Sequence, residues 1–353
     1  MNAHIFRNTR LNSTPSMRLY AAQLIESLRK SSNFDIQEIS IRGRRLPWLK
    51  DVLSKDVFYP LYARYRQGDI NHIIDHSYGA LAYGLDSKRT VVTCHDLIPL
   101  ELPTQSSWLG RKRFLFNIHG MLRAGNIVAV SESTKQSILK HFRYEGRIWV
   151  IPQGVDEKFK KIDDPKRIQA LKRELAMNER YRYLLHVGLS TPTKNVELIL
   201  KTMPRLPEYR LIKVGLFTQA QKRLIENSNL RDRILTFEGI SEEALIEIYN
   251  VADALLFPSF FEGFGWPVLE AMACGCPVIC SKTSALPEVA GDAAKYIDPY
   301  SETDFGEAIE EVLGNSGLRS DLIERGLKQA AKFRWQETAR KVIEVYKKMM
   351  EEA

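Results

Sequence analysis

The chain has 353 residues, of which 44% are hydrophobic and 27% charged, and it carries a formal net charge of +8. These are the proportions of a folded chain with room for two ordinary domains, and no apolar run approaches the ~18 residues of a membrane-spanning helix. The positive charge is lopsided: residues 1–160 hold 24 Lys and Arg against 14 Asp and Glu, a balance of +10, and the remainder balances at −2.

The N-terminus, "MNAHIFRNTR", has no basic stretch followed by an apolar core, so a cytoplasmic protein without a secretion signal is expected. Short apolar runs at 3–6, 72–75, 90–94, 126–130 and 147–151 read as buried strands, with helices predicted between most of them, notably at 16–30 and at 131–142. Basic residues gather beside apolar ones in "RGRRLPWLK" (42–50) and at Arg111, Lys112 and Arg113 near Trp108. Such clusters suit either an anionic membrane surface or a solvated basic face. With no stacking or helix-turn-helix pattern, no nucleic-acid partner is expected.

A charged segment at 156–167 interrupts the rhythm, which restarts with strands at 183–188, 210–215, 234–239, 254–259 and 277–281. Alternating strands and helices imply a parallel sheet covered on both faces. Two such series predict two doubly wound domains, 1–160 and 161–335, facing a central cleft. In this fold type, ligands gather at the carboxyl ends of the strands. The four cysteines are Cys94, Cys274, Cys276 and Cys280; C-x-C-x3-C is not a zinc spacing, so buried, reduced thiols are expected and no metal. The last segment, 336–353, carries an apolar stripe at Ala339, Val342, Ile343, Val345, Tyr346 and Met350, which marks one helix with a face to bury.

The stretch "FPSFFEGFGWPVLEAMACGCPVICS" (257–281) places Glu262 in a glycine-broken loop and Glu270 early in the helix that follows, with Pro267 at its first position. Gly263 and Gly265 allow close backbone approach, and the amides from Gly265 through Leu269, Val268 among them, form an anion site at the helix N-terminus. A phosphate fits those amides, a ribose diol fits Glu270, and sugar hydroxyls fit Glu262. Alone, the two carboxylates would read as a capping Glu and an ordinary surface loop residue.

These segments resemble family 4 of the retaining glycosyltransferases, which has the GT-B fold. The likeness rests on "EGFGWPVLEAMACGCPVICSKTSALPEVAGDAAKYIDP" and extends to "VGLSTPTKN" (187–195), "TFEGISEEALIEIYNVADALLFPS" (236–259), "VTCHDLIPL" (92–100), "VAVSESTKQSI" (128–138), "VIPQGVD" (150–156) and "FRWQETARKVIEVYKKM" (333–349). It implies an α/β fold of two Rossmann-like domains, the first on the acceptor side and the second binding the nucleotide sugar, with the C-terminal helix crossing back to the first. Glu262 would then hold the donor sugar with Gly263, Phe264 and Gly265, Glu270 the ribose, Lys194 the diphosphate, and Gly239 and Ile240 the base. His95 in "HDLIPL" would sit at the sugar, and His76 and Arg18 are further acceptor-side candidates; read alone, His95 could be structural.

Three departures stand out. Thr193 occupies a position where many relatives carry Arg, and Leu189 one that is often basic; the loop 11–18 also lacks the usual glycines. The expected reaction is metal-independent transfer of a hexose, with retention, from a nucleotide diphosphate sugar to a glycan or lipid-linked glycan. The resemblance implies a place in cell-surface or exopolysaccharide synthesis, and the basic first half is compatible with peripheral contact at the inner face of an anionic membrane. UDP-glucose is the favoured donor and GDP-mannose the second; a GT-B epimerase and a non-catalytic binder are the alternatives. No D-x-D stands where a metal would bridge the diphosphate, so no cofactor is expected.

Overall fold

The computed structural model describes residues 2–7, 15–40, 58–102 and 108–352. The chain divides into two compact units: unit 1 is Met1–Gly154 with Arg334–Ala353, and unit 2 is Val155–Phe333. The divisions fall at 154/155 and 333/334 rather than the expected 160/161 and 335/336. The reason is local pairing: the Val155 amide donates to the Phe333 carbonyl at 3.0 Å, and a side chain at Gly154 would collide with the Trp335 backbone.

Unit 1 is built on six parallel strands, β1 (Asn2–Phe6), β2 (Asp35–Ile39), β3 (Ile70–Ile73), β4 (Thr90–Cys94), β5 (Asn126–Ala129) and β6 (Arg147–Val150). Their order is β2-β1-β3-β4-β5-β6, so the winding reverses between β1 and β3. The third strand begins at Ile70, two residues before the expected run. Ile73, Val92, Ile127 and Ala129 from the sheet join Leu81, Ile118 and Met121 in one core. The helix Pro15–Ser31 packs against the last helix, Trp335–Glu351. That helix buries Ala339, Val342, Ile343, Val345 and Tyr346, and Met349 rather than Met350 completes the stripe. The Tyr346 hydroxyl lies 2.7 Å from Nδ1 of buried His72.

Unit 2 repeats the scheme with β7 (Arg182–Val187), β8 (Tyr209–Val214), β9 (Ile234–Phe237), β10 (Ala254–Phe257), β11 (Val278–Ser281) and β12 (Ala294–Ile297). All pairs are parallel in the order β12-β11-β10-β7-β8-β9, which puts the reversal between β7 and β10. A doubly wound sheet opens a crevice at such a reversal, outside the carboxyl ends of the two strands. The loops that carry Lys194 and Glu262 leave those two strands.

All four cysteines are free and buried. Cys274 caps the helix Trp266–Ala273, while Cys94 and Cys280 lie in strands. Among the described residues no group of three His, Cys, Asp or Glu is placed to hold a metal ion, and no helix is long and apolar enough to cross a membrane.

Candidate functional site

In unit 2 the loop after β7 makes a short turn, Pro192–Lys194, and Asn195 then adopts the left-handed conformation, φ 51°. That reversal aims Lys194 toward the loop after β10, where its Nζ donates to Oε1 of Glu262 at 2.7 Å. The two loops are also joined through the backbone, since the Phe260 amide donates to the Thr193 carbonyl at 2.8 Å. The Glu262 amide donates to Ser284 Oγ at 2.8 Å, and Lys194 Nζ stands 4.7 Å from the centre of the Phe257 ring. Cation and carboxylate are both largely buried, with side-chain exposures of 19% and 11%. A partly buried pair of this kind presents a positive and a negative group side by side at one crevice.

The helix after this loop starts at Trp266, with Gly265 at its N-cap, φ 108°. A side chain at residue 265 would strike Leu286, so both the angle and the space call for glycine here. Pro267 is therefore the second helical residue, one later than expected. Glu270 falls just past the first turn, which contains no acidic residue.

The amide cradle is narrower than expected. Pro267 has no N–H, and the Val268 amide already donates to the Gly265 carbonyl at 3.0 Å, because the first turn closes on itself. Phe264 packs edge-on against Phe333, while Gly263 and Gly265 are buried. Gly239, φ 61°, is exposed with open space where a side chain would stand, and Ile240 beside it is half-buried.

Glu270 is buried and accepts a hydrogen bond from the Tyr249 hydroxyl at 2.8 Å. Burial pushes its carboxyl up to about 7, partly offset by that hydrogen bond. A carboxyl so placed is short of hydrogen-bond donors, and a ligand diol supplies two.

In unit 1, His76 follows β3 and His95 follows β4. The Nε2 of His95 lies 2.9 Å from the Ile74 carbonyl, which requires a proton on that nitrogen; Nδ1 then accepts from the Gln153 amide at 3.1 Å. Burial holds the His95 imidazole below its usual value, against the pull of Asp75. His76 Nδ1 accepts the His95 backbone N–H at 3.2 Å, which leaves Nε2 as its protonated nitrogen in the neutral ring. Tyr20 meets His95 edge-on with ring centres 4.6 Å apart. Both nitrogens of His95 are thus occupied, whereas Nε2 of His76 makes no hydrogen bond among the described residues.

Arg18 is exposed in the first turn of the helix Pro15–Ser31. Residues 11–14 of its loop and the basic stretch 42–50 lie outside the described residues. Sequence reasoning did not find Gln153, Tyr249 or Phe257, whose importance depends on what folding brings beside them.

Two family models cover most of the chain. One, described as glycosyl transferases group 1, matches residues 167–329, and the other, glycosyltransferase family 4, matches 18–159. The chain is a family 4 glycosyltransferase. Among the relatives of this glycosyltransferase is the serotype-specific mannosyltransferase WbdA of Escherichia coli, 31% identical over 74% of the chain and 34% of that protein. The chain spans about a third of the length of WbdA. The O-antigen chain mannosyltransferase B of Escherichia coli is 26% identical over 93% of the chain and 89% of its own length. Sucrose-phosphate synthase from Thermosynechococcus elongatus superposes over 100% of both chains with a TM-score of 0.84 at 19% identity, which shows the GT-B fold.

Proposed function

We propose that this glycosyltransferase moves a hexose, with retention and without a metal ion, from a nucleotide diphosphate sugar to a hydroxyl of a glycan or lipid-linked glycan. The observation that carries the proposal is the Lys194–Glu262 contact at the reversal of the unit 2 sheet. A nucleotide sugar brings a diphosphate, which competes for the lysine, and hydroxyls, which compete for the carboxylate. The pair is matched to both ends of the same ligand. Glu270 would take the ribose diol, Gly239 and Ile240 would face the base, and backbone groups of Gly263, Phe264 and Gly265 would meet the sugar.

Charge builds on the diphosphate as the glycosidic bond breaks, and Lys194 with the helix N-terminus would stabilise it. In a front-face transfer the departing phosphate oxygen takes the proton of the acceptor hydroxyl, so no protein nucleophile is needed. On unit 1, His76 would present its Nε2–H to the acceptor side while His95, bound at both nitrogens, holds it in place; Arg18 is a further acceptor-side candidate.

For the donor, mannose now ranks ahead of glucose. The names of the two relatives above support that order against the sequence preference for UDP-glucose, and GDP-mannose becomes the first candidate. Turnover measured against a panel of nucleotide sugars, with the anomeric configuration of the product read out, tests both points. Transfer from UDP-glucose but not from GDP-mannose overturns the donor, and an inverted product overturns the mechanism.

The acceptor reading places the enzyme at the inner face of a membrane. Trp108 and Leu109 are 68% and 70% exposed at the start of the helix Trp108–Met121, and Lys112 Nζ lies 3.9 Å over the Trp108 ring. That helix has four basic side chains, counting His119, and no acidic one. Co-sedimentation with anionic but not with zwitterionic vesicles is the expected result.

A further inference from the structure

Unit 2 holds a second lysine, buried apart from the Lys194–Glu262 pair. Lys213, in β8, is fully buried, and no carboxylate lies within ion-pair distance of it among the described residues. Its Nζ donates instead to two backbone carbonyls, those of Gly188 at 2.6 Å and Val214 at 3.0 Å. An ammonium taken from water without a counter-ion is costly, and an apolar side chain of the same length would serve packing better. The arrangement makes sense if an anion arrives.

The geometry indicates where. Lys213 stands beside His186 in the β7–β8 register, and His186 stacks on Phe257, whose ring lies under the Lys194 ammonium. Both ring nitrogens of His186 lack a hydrogen-bond partner among the described residues, and burial together with Lys213 and Lys194 keeps it neutral. Gly188 ties the two lysines together: its carbonyl is held by Lys213, and a side chain on its α-carbon would reach Lys194 Cε at 3.7 Å. Gly215 completes the cluster; a side chain there would sit 2.4 Å from the Gly188 oxygen and 2.9 Å from Lys213 Nζ, so the lysine fits only against glycine.

We propose that Lys213 is the second cation of the donor diphosphate site, acting through Gly188 from behind the loop that carries Lys194. It is a positioning residue, since its ammonium reaches the Gly188 carbonyl rather than the ligand. By engaging that carbonyl it satisfies a negative dipole behind the Lys194 loop, and it adds a second positive charge that acts on Lys194. The proposal rests on the reading of Lys194 as the diphosphate contact. Burial, and then the charge of Lys194, bring the Lys213 ammonium down to about 8. The groups facing it are neutral His186 and Lys194, the latter paired with Glu262.

The test is calorimetric titration of the full chain with GDP and UDP, and with the corresponding nucleosides, for wild type, Lys213→Met and Lys213→Gln. Methionine keeps the length without the charge, and glutamine keeps a hydrogen-bond donor without the charge. At an effective dielectric of about 20, a unit charge several ångströms from a diphosphate alters affinity by about tenfold or more. Both variants should lose about that much affinity for the diphosphate and none for the nucleoside. Wild type should take up protons from the buffer at pH 8 on binding, and the variants should not. Wild-type diphosphate affinity in Lys213→Gln, or equal losses for diphosphate and nucleoside, overturns the inference. Lys194→Ala separates the two layers of the argument: if wild type binds no diphosphate, or if that variant binds it unchanged, the donor reading itself fails.

Discussion

Glu270 illustrates the conflict between stability and binding at a single residue. Its carboxyl sits near 7 in the folded chain against an ordinary 4.5. Between those values the unfolded chain has released the proton while the folded chain keeps it. Stability therefore falls as pH rises from about 4.5 to about 7 and stays low above. Glu270→Gln keeps an acceptor for the Tyr249 hydroxyl and removes the titration. It should raise stability at pH 8 by on the order of 3 kcal/mol and change it little at pH 4.5, as read by denaturant unfolding at the two pH values. The same variant should bind nucleotide more weakly, having lost charged hydrogen bonds. At this scale Glu262, Glu270 and Lys194 could be singled out because each sits in a segment that resembles the family, and folding brings Lys194 and Glu262 into contact. Lys213 could not: one lysine in the apolar run "RLIKVG" is a visible oddity, but its partners, the Gly188 and Val214 carbonyls, are known only once β7 and β8 pair in register.

Among the elements, ten of the twelve described strands were read from sequence, the edge strands β6 and β9 included. β2 and β12 were missed, and both are sheet edges. β2, "DIQEI", is half-exposed and mostly polar, and β12, "AKYI", is interrupted by Lys295, so neither makes the continuous apolar run of a strand covered on both faces. The helix Trp335–Glu351 was legible from its stripe, yet its main polar anchor was not. Tyr346 reaches across to His72, whose other ring nitrogen lies 2.8 Å from Thr93 Oγ1. Tyr346→Phe leaves Nδ1 of a buried histidine without a partner and should destabilise unit 1 by about 1–3 kcal/mol, measured by denaturant unfolding. Deleting residues 336–353 uncovers the apolar face of Pro15–Ser31 and should abolish the cooperative unfolding of unit 1; an unchanged transition would mean that the helix contributes little.

The whole molecule consists of two units, each with its own sheet and core. Heat unfolding should then depart from a single two-state transition. A nucleoside diphosphate at about 100 times its dissociation constant adds about 2.7 kcal/mol to whatever binds it. Calorimetry should show that gain in the transition of unit 2; equal shifts of both transitions would contradict the assignment of the donor to one unit.

On the proposed reading, Glu270 holds the nucleotide and Glu262 the sugar within one site on unit 2. Titration of GDP and UDP into wild type, Glu270→Ala and Glu262→Ala, with transfer assayed on the same samples, tests it most directly. Glu270→Ala should lose about 1.5–3 kcal/mol of nucleotide affinity. Glu262→Ala, which frees Lys194 for the diphosphate, should bind the nucleotide at least as tightly as wild type does and yet transfer almost no sugar. Equal loss of nucleotide binding in both variants, or full transfer by Glu262→Ala, would contradict the account.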